Sequence, residues 1–191
     1  MKKRNFFVHN SAVIDKEVSI LENTDIWHFS HVQSGSIIGA NCTLGQNVSI
    51  GNNVKIGNNV KIQNNVSIFE GVELEDYVFC GPSMVFTNIL VPRSEFPQKG
   101  SEHYIRTLVK KSSSIGANAT IICGLTLGSY SLIGAGSVII NDVEDFALIV
   151  GNPGRQIGWV NKKGFKLNFN KSGYSNCGKY FLKNKKVTFL G

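Results

Sequence analysis

Carboxylates run out early in this sequence: after Asp145 there is neither Asp nor Glu. Charge is scarce throughout, at 17% of 191 residues, while glycine reaches 20, a balance that argues against a disordered chain and suits a repeat-built β protein. Cysteine is limited to Cys42, Cys80, Cys123 and Cys177, with no CxxC pair and no zinc spacing. A disulfide framework is therefore not expected, and a reducing cytoplasm fits the thiols. Long apolar runs are missing as well. The cationic start, Met1 to Arg4, is followed only by Phe6, Phe7 and Val8 before His9, too short for a signal peptide, so neither export nor membrane insertion is expected. Proline occurs four times, and Pro82, Pro92 and Pro97 lie close together.

The missing acids leave Arg155 and Lys162, Lys163, Lys166, Lys171, Lys179, Lys183, Lys185 and Lys186 as an unbalanced basic tail in a chain of net charge +7. Such a tail meets nucleic acid, an anionic membrane or a phosphorylated small molecule, or is simply solvated. No nucleic-acid motif accompanies it, and no nucleic-acid partner is expected.

What the chain does have is a period. Aliphatic residues stand at Val8, Ile14, Ile20, Ile26, Val32, Ile38, Leu44, Ile50, Ile56, Ile62, Ile68 and Leu74, six apart without a slip. At the apolar content of ordinary chains, twelve such hits arise by chance about once in ten thousand tries. From Ile38 to Phe79 the period becomes a phrase: IGANCT, LGQNVS, IGNNVK, IGNNVK, IQNNVS, IFEGVE, LEDYVF. Six matches neither a helix nor a free-standing strand, but it suits a short strand and a tight corner, repeated. The glycines after the aliphatics (Gly39, Gly45, Gly51, Gly57) and the asparagines two further on are the residues that tolerate positive φ, and are expected to make the corners. Smaller residues two before each aliphatic (Ser36, Cys42, Val48, Val54, Val60, Val66, Val72) form a second inward set. Cys42 and Cys80 fall on inward positions and are expected to be core thiols.

Residues 5–37 keep the aliphatic register while losing the phrase, as a terminal coil does. They contain Trp27-His28-Phe29-Ser30-His31. Two histidines three apart suggest metal ligation, but no third joins them and no metal is expected; His28 and His31 read as turn residues or as contacts to a ligand's phosphate or sugar. From Cys80 to Ser112 the phrase is lost, and this proline-bearing, charged and aromatic stretch is expected to leave the scaffold as a functional loop. The phrase returns at Ile115 and ends near Val143. Gly151-Asn152-Pro153-Gly154 is a turn, the segment after Arg155 is expected to cap the solenoid as a helix, and the last thirty residues read as a hairpin or small sheet. The expected division is therefore 1–160, a β-solenoid carrying loop 80–112, and 161–191, a basic appendage.

The phrase resembles the hexapeptide repeat of the left-handed parallel β-helix acyltransferases, where three hexapeptides make one triangular coil. With IWHFSHV, FCGPSMVFTN, TLVKK and VGNPGRQIGWV, residues 8 to 160 further resemble the bacterial N-acetyltransferases of nucleotide-linked 3-amino-3-deoxy sugars. One branch acts on UDP-2-acetamido-3-amino-2,3-dideoxy-glucuronate for O-antigen, another on dTDP-3-amino-3,6-dideoxyhexoses. The resemblance implies an all-β, left-handed β-helix, a homotrimer with active sites between subunits, and acetyl-CoA as co-substrate, in the making of a surface polysaccharide such as O-antigen or an S-layer glycan.

It also implies roles. Asn88, the asparagine of the FTN segment, holds the reacting amine. Read from their own chemistry beside it, Phe86, His28, His31, Arg93 and Arg106 are candidates for the nucleotide sugar, the arginines for its diphosphate or a sugar carboxylate, and His103, the loop's one histidine and one the family's pattern does not call for, is a candidate base. Gly116, Ala117, Gly134 and Ala135 are small enough to let the arm of acetyl-CoA approach the backbone, while Lys110, Lys111 and Arg155 are candidates for its phosphates. An unprotonated amine is already a nucleophile, so proximity and oxyanion stabilisation carry much of the rate. Two rival readings stand beside this one: a hexapeptide acetyltransferase for a 4-amino sugar or a hydroxyl, which calls for a histidine paired with a carboxylate where this chain has only His103 beside Glu102, and a non-catalytic solenoid scaffold, for which the loop is superfluous.

Overall fold

The computed structural model describes residues 5–98 and 100–191; the cationic start, residues 1–4, lies outside them. One aliphatic side chain per six residues turns inward, and the chain bends after each, so two-residue strands close a triangular prism. Face A stacks Phe7–Val8, Asp25–Ile26, Thr43–Leu44, Lys61–Ile62, Phe79–Cys80, Ser114–Ile115 and Leu132–Ile133. Face B runs from Val13–Ile14 through His31–Val32 to Val138–Ile139, and face C from Ser19–Ile20 through Lys55–Ile56 to Thr126–Leu127. Every pairing within the coils is parallel and most are eighteen residues apart, as in Thr43↔Lys61↔Phe79. About eight turns stack into a left-handed parallel β-helix. Among the described residues no helix is long and apolar enough to cross a membrane.

The interior is one column of aliphatics. Ile26, Ile38, Leu44, Ile50, Ile62 and Ile68 are fully buried, with Val48, Val54, Val60 and Val66 between them, each contributing about 1.5–3 kcal/mol through removal from water. Where the smaller slot holds a hydroxyl, a corner carbonyl of the next coil accepts from it: Thr24 Oγ1 donates to Gly39 O at 2.8 Å, Ser36 Oγ to Gly51 O at 2.7 Å. The same slot places the Cys42 thiol in the core, and burial raises its pKa; the wholly buried Cys80 is pushed up to about 12.

The corners divide their labour differently from the expectation. In the phrase itself positive φ falls on the asparagine, from 55° at Asn47 to 62° at Asn65, as it does on Glu17, Phe29, Tyr77 and Ser83 at the same position of less regular coils. The glycine before it has no positive φ and is required by proximity: a Cβ on Gly39 would stand 2.4 Å from Gly57 O of the next coil.

Two further expectations are corrected. The register holds through Phe79↔Lys61 and Val85↔Ser67 and is regained at Val72↔Thr107, so the chain leaves the coil only between Phe86 and Thr107, a shorter loop than 80–112. Gly81, Ser83 (φ 58°), Met84 and Phe86 fill the slots of the phrase with other residues. After the Gly151–Gly154 turn the chain forms a strand in place of the expected helix. Arg155–Val160 lies antiparallel on Ala147–Val150 and is followed by Lys166–Leu167; its last two residues, Trp159 and Val160, are buried, and Trp159 joins the core. Tyr180–Lys183 and Lys186–Phe189 then form a hairpin about Asn184 and Lys185, both at positive φ. Tyr180 meets the last coil edge-on at Phe146, itself stacked on Tyr130, and its hydroxyl accepts from the Lys162 amide at 3.0 Å.

Candidate functional site

Several corners of the scaffold carry an amide or carboxylate two residues past the inward aliphatic, and its oxygen receives a backbone N–H of the coil before. Asn58 Oδ1 accepts from Ala40 at 2.9 Å, Asn64 Oδ1 from Gln46 at 2.9 Å, Asp76 Oδ1 from Asn58 at 2.7 Å. Asn88 occupies this slot on the edge between faces B and C, yet it is turned over. Its Nδ2 donates to Glu70 O at 3.3 Å, which leaves Oδ1 without a partner among the described residues. The loop roots hold it there. Thr87 N donates to Ile121 O at 3.0 Å and Ile105 N to Asn88 O at 2.9 Å; Thr87 Oγ1 and Thr107 Oγ1 accept from Cys123 N and Gly124 N at 2.9 and 3.1 Å.

Beside Asn88, the outer surface of face C is a groove of about 220 Å³ lined by Asn53, Lys55, Gly71, Val72, Glu73 and Arg106. Arg106 is ion-paired with Glu73. Glu70 Oε1 accepts from Asn53 Nδ2 at 3.0 Å, and Glu75 Oε2 from the Lys111 amide at 2.8 Å. Residue-type reasoning missed Asn53, Lys55, Glu70 and Glu73. The eighteen-residue register points to two of them: Glu70 stands eighteen before Asn88 and Lys55 eighteen before Glu73.

The other candidates lie elsewhere on the prism. Phe86 is corrected outright: it stands on the inward register, is 0% exposed, and has no face for a substrate. His103 ends a single 3-10 turn, Ser101–His103, exposed on the loop, with Nε2 3.7 Å from Glu102 Oε1. Arg93 is exposed further out and donates to Pro92 O at 3.0 Å. His31, on face B, has Nε2 2.9 Å from Asp15 Oδ1. His28, on the edge between faces A and B, stacks on His9 at 3.5 Å beside Trp27; its Nδ1 is the one solvent-shielded side-chain N or O atom among the described residues without a hydrogen bond.

Gly116, Ala117, Gly134 and Ala135 follow on that same A–B edge, near the C-terminal end. A Cβ on Gly116 would stand 2.5 Å from Ala135 N, so the coils touch at the backbone. Ala135 also occupies the capping slot and has no side-chain oxygen for the Ala117 N–H; that amide is accordingly left uncapped, where Asn64 Oδ1 caps the Gln46 amide earlier on the same edge. Lys110 and Lys111 stand on the third edge, Lys111 Nζ 5.6 Å from the Tyr77 ring. Arg155 borders a hollow with Ile140, Asn141 and Asp142 at the prism's end. The structure thus brings Asn88 and Arg106 together with Glu73 and Lys55, and sets the acetyl-CoA candidates on other edges.

Known proteins resolve what this arrangement belongs to. Residues 35–70 match the bacterial transferase hexapeptide family (six repeats) and residues 112–140 the hexapeptide repeat of succinyl-transferase, on either side of the loop. A dTDP-3-amino-3,6-dideoxy-α-D-galactopyranose 3-N-acetyltransferase from Aneurinibacillus thermoaerophilus is 43% identical over 176 residues, 92% of this chain and 90% of that one. The chain belongs to the hexapeptide-repeat acetyltransferases. As such it shares its fold with a hexapeptide-repeat-containing acetyltransferase of Vibrio cholerae solved with acetyl coenzyme A (TM-score 0.57, 24% identity, 66% of this chain and 72% of that one). It shares it also with a hexapeptide transferase family protein of Anaplasma phagocytophilum (TM-score 0.55, 14% identity, 83% and 85%). The likeness to the Aneurinibacillus enzyme spans the loop of this acetyltransferase as well as its coils.

Proposed function

We propose that this acetyltransferase moves the acetyl group of acetyl-CoA onto the 3-amino group of a dTDP-linked 3-amino-3,6-dideoxyhexose, in the cytoplasm, for a surface polysaccharide. The observation that carries the reading is the near full-length likeness to a 3-N-acetyltransferase of that sugar class. In the reaction the amine lone pair attacks the thioester carbonyl, the C–N bond forms, the C–S bond breaks, and the proton lost by nitrogen leaves with the CoA thiol. Asn88 Oδ1, unpartnered and held by its own Nδ2 on Glu70 O, accepts a hydrogen of the amine and aims its lone pair. The Ala117 N–H supplies a donor for the carbonyl oxygen as it becomes negative. His103 is the candidate proton acceptor. His28 and His31 are candidates for the nucleotide, and Lys110, Lys111 and Arg155 for the phosphates of acetyl-CoA.

Asn88 and Ala117 stand on different edges of one prism, so one chain does not face both to the same ligand. A homotrimer that sets the B–C edge of one chain against the A–B edge of the next joins them, and we place the site at that interface. The groove at Asn88 favours a 6-deoxy sugar over a uronate. Arg106 is neutralised by Glu73, and Lys55 shares its surface with Glu73, Glu75 and Asp76, so a sugar carboxylate meets mostly its own sign of charge.

The test is release of free CoA thiol with two acceptors in parallel, a dTDP-3-amino-3,6-dideoxyhexose and the UDP-linked 3-amino uronate. Turnover of the first alone is expected. Turnover of the uronate alone overturns the sugar assignment, and silence with both, in protein whose melting temperature still rises with acetyl-CoA, removes the 3-amino-sugar reading.

A further inference from the structure

Charge is divided along this molecule. Through residue 145, eleven Lys and Arg stand against thirteen Asp and Glu, a net −2; from residue 146 onward nine cations stand against none, a net +9. Among the described residues none of these nine cations forms an ion pair. The hairpin concentrates them. Lys183 and Lys186 are directly opposed across the two strands, with Lys185 in the turn between, and like charges so placed weaken a strand pair. Lys185 borders a hollow with Gln156, Gly158 and Trp159, and Lys166 Cε lies 3.3 Å from where a Cβ on Gly158 would stand. These four lysines therefore share one surface. Apolar side chains stand uncovered among the cations: Phe165 is 68% exposed, Leu190 53% and Ile157 50%. Lys162 Nζ lies 3.6 Å over the ring of Phe189, next to Leu190.

We propose that this end of the molecule docks on an anionic lipid bilayer, with the lysines at the phosphate headgroups and Phe165, Ile157 and Leu190 at the base of the headgroup layer. Each basic residue near such a surface contributes electrostatic attraction, and each apolar side chain gains by leaving water. Single-stranded nucleic acid fits less well, because Phe165 is the one ring among these three exposed apolar side chains, and Ile157 and Leu190 offer none for a base to stack on. The negative coil body is repelled from the same surface, which stands the prism on end. In a trimer with parallel axes three such modules lie in one plane and bind together.

The experiment is flotation of the full-length chain with phosphatidylcholine vesicles and with vesicles containing 30% phosphatidylglycerol, at low and high salt. Association only with the anionic vesicles is expected, lost as the screening length falls from about 10 Å to about 3 Å. The triple variant Lys183→Gln, Lys185→Asn, Lys186→Gln keeps residues that suit the turn and lowers the partition about a hundredfold, with the melting temperature and the affinity for acetyl-CoA unchanged. Phe165→Ser with Leu190→Ser is the second variant and weakens binding at both salt concentrations. The proposal is overturned by equal association with neutral vesicles, by wild-type association from a folded triple variant, or by tighter binding to a short single-stranded RNA than to the anionic vesicles. A raised KM for acetyl-CoA in the triple variant with undiminished vesicle binding likewise overturns it and assigns the lysines to the co-substrate.

Discussion

Asn59 and Asn88 stand at the same kind of corner and meet different demands. Asn59 is there for its backbone, at φ 59°. Asn59→Gly is expected to leave stability nearly unchanged and Asn59→Val to cost about 1–2 kcal/mol, read from denaturant unfolding. In the proposed reaction Asn88 acts through its side chain, and Asn88→Ala is expected to lower kcat about a hundredfold while the melting temperature stays within a few degrees, a loss typical of removing one oriented polar contact at a reacting centre. Thiols give a third check. The exposed Cys177 has its pKa lowered, first by the Ser175 hydroxyl hydrogen bond and then by the Lys179 backbone, whereas burial raises Cys42 and Cys80. Alkylation of the native protein near pH 7 should label Cys177 first, since the thiolate is the reactive form; early labelling of Cys80 would contradict the buried column. At this scale the sequence was legible wherever a residue type has one use. The inward aliphatics, the asparagines at positive φ and the buried Cys42 and Cys80 all follow from a period of six. The corner glycines were assigned a φ they do not have, because contact between coils eighteen residues apart leaves no trace in local propensity. Phe86 was placed with the substrate although it sits on the very register that predicts burial.

Among the elements, the loop and the terminal strand show where pattern reading stops. The phrase FCGPSMVF keeps the coil with none of its usual letters except glycine, so the loop looked longer than it is. Leu90 to Gln98 is exposed throughout, and the roots at Thr87, Asn88 and Thr107 are stapled to neighbouring coils. Limited trypsin digestion should therefore cut at Arg93 before any site in the coils, leaving two fragments that stay associated and melt near the temperature of the intact chain, with acetyl transfer abolished. Cleavage beginning in the coils would mean that the staples do not hold. Arg155–Val160 read as a helical cap since its turn cluster resembles a helix start; Trp159 and Val160 instead find their buried surface by continuing face A in reverse.

For the whole molecule, the separation of candidates onto three edges is something one chain's sequence does not display, and the proposed trimer resolves it between chains. A mixing experiment tests it. Asn88→Ala and Ala117→Asp are each expected to inactivate the trimer, through the B–C edge and the A–B edge respectively. Co-assembled at equal amounts, they should recover about a quarter of wild-type activity, the fraction of interfaces that pair two intact edges. No recovery would place the site within one chain. The reversal at Gly151–Gly154 acts at this scale too. A coil that ended in a parallel strand would present the next molecule with a template in its own hydrogen-bonding sense. On face A the antiparallel Arg155–Val160 inverts that sense, and the short Lys166–Leu167 beyond it offers two residues and a charge. The C-terminal end thereby acts as a chain terminator for polymerisation, which keeps a protein built on stacked β-strands from growing end to end into a fibril.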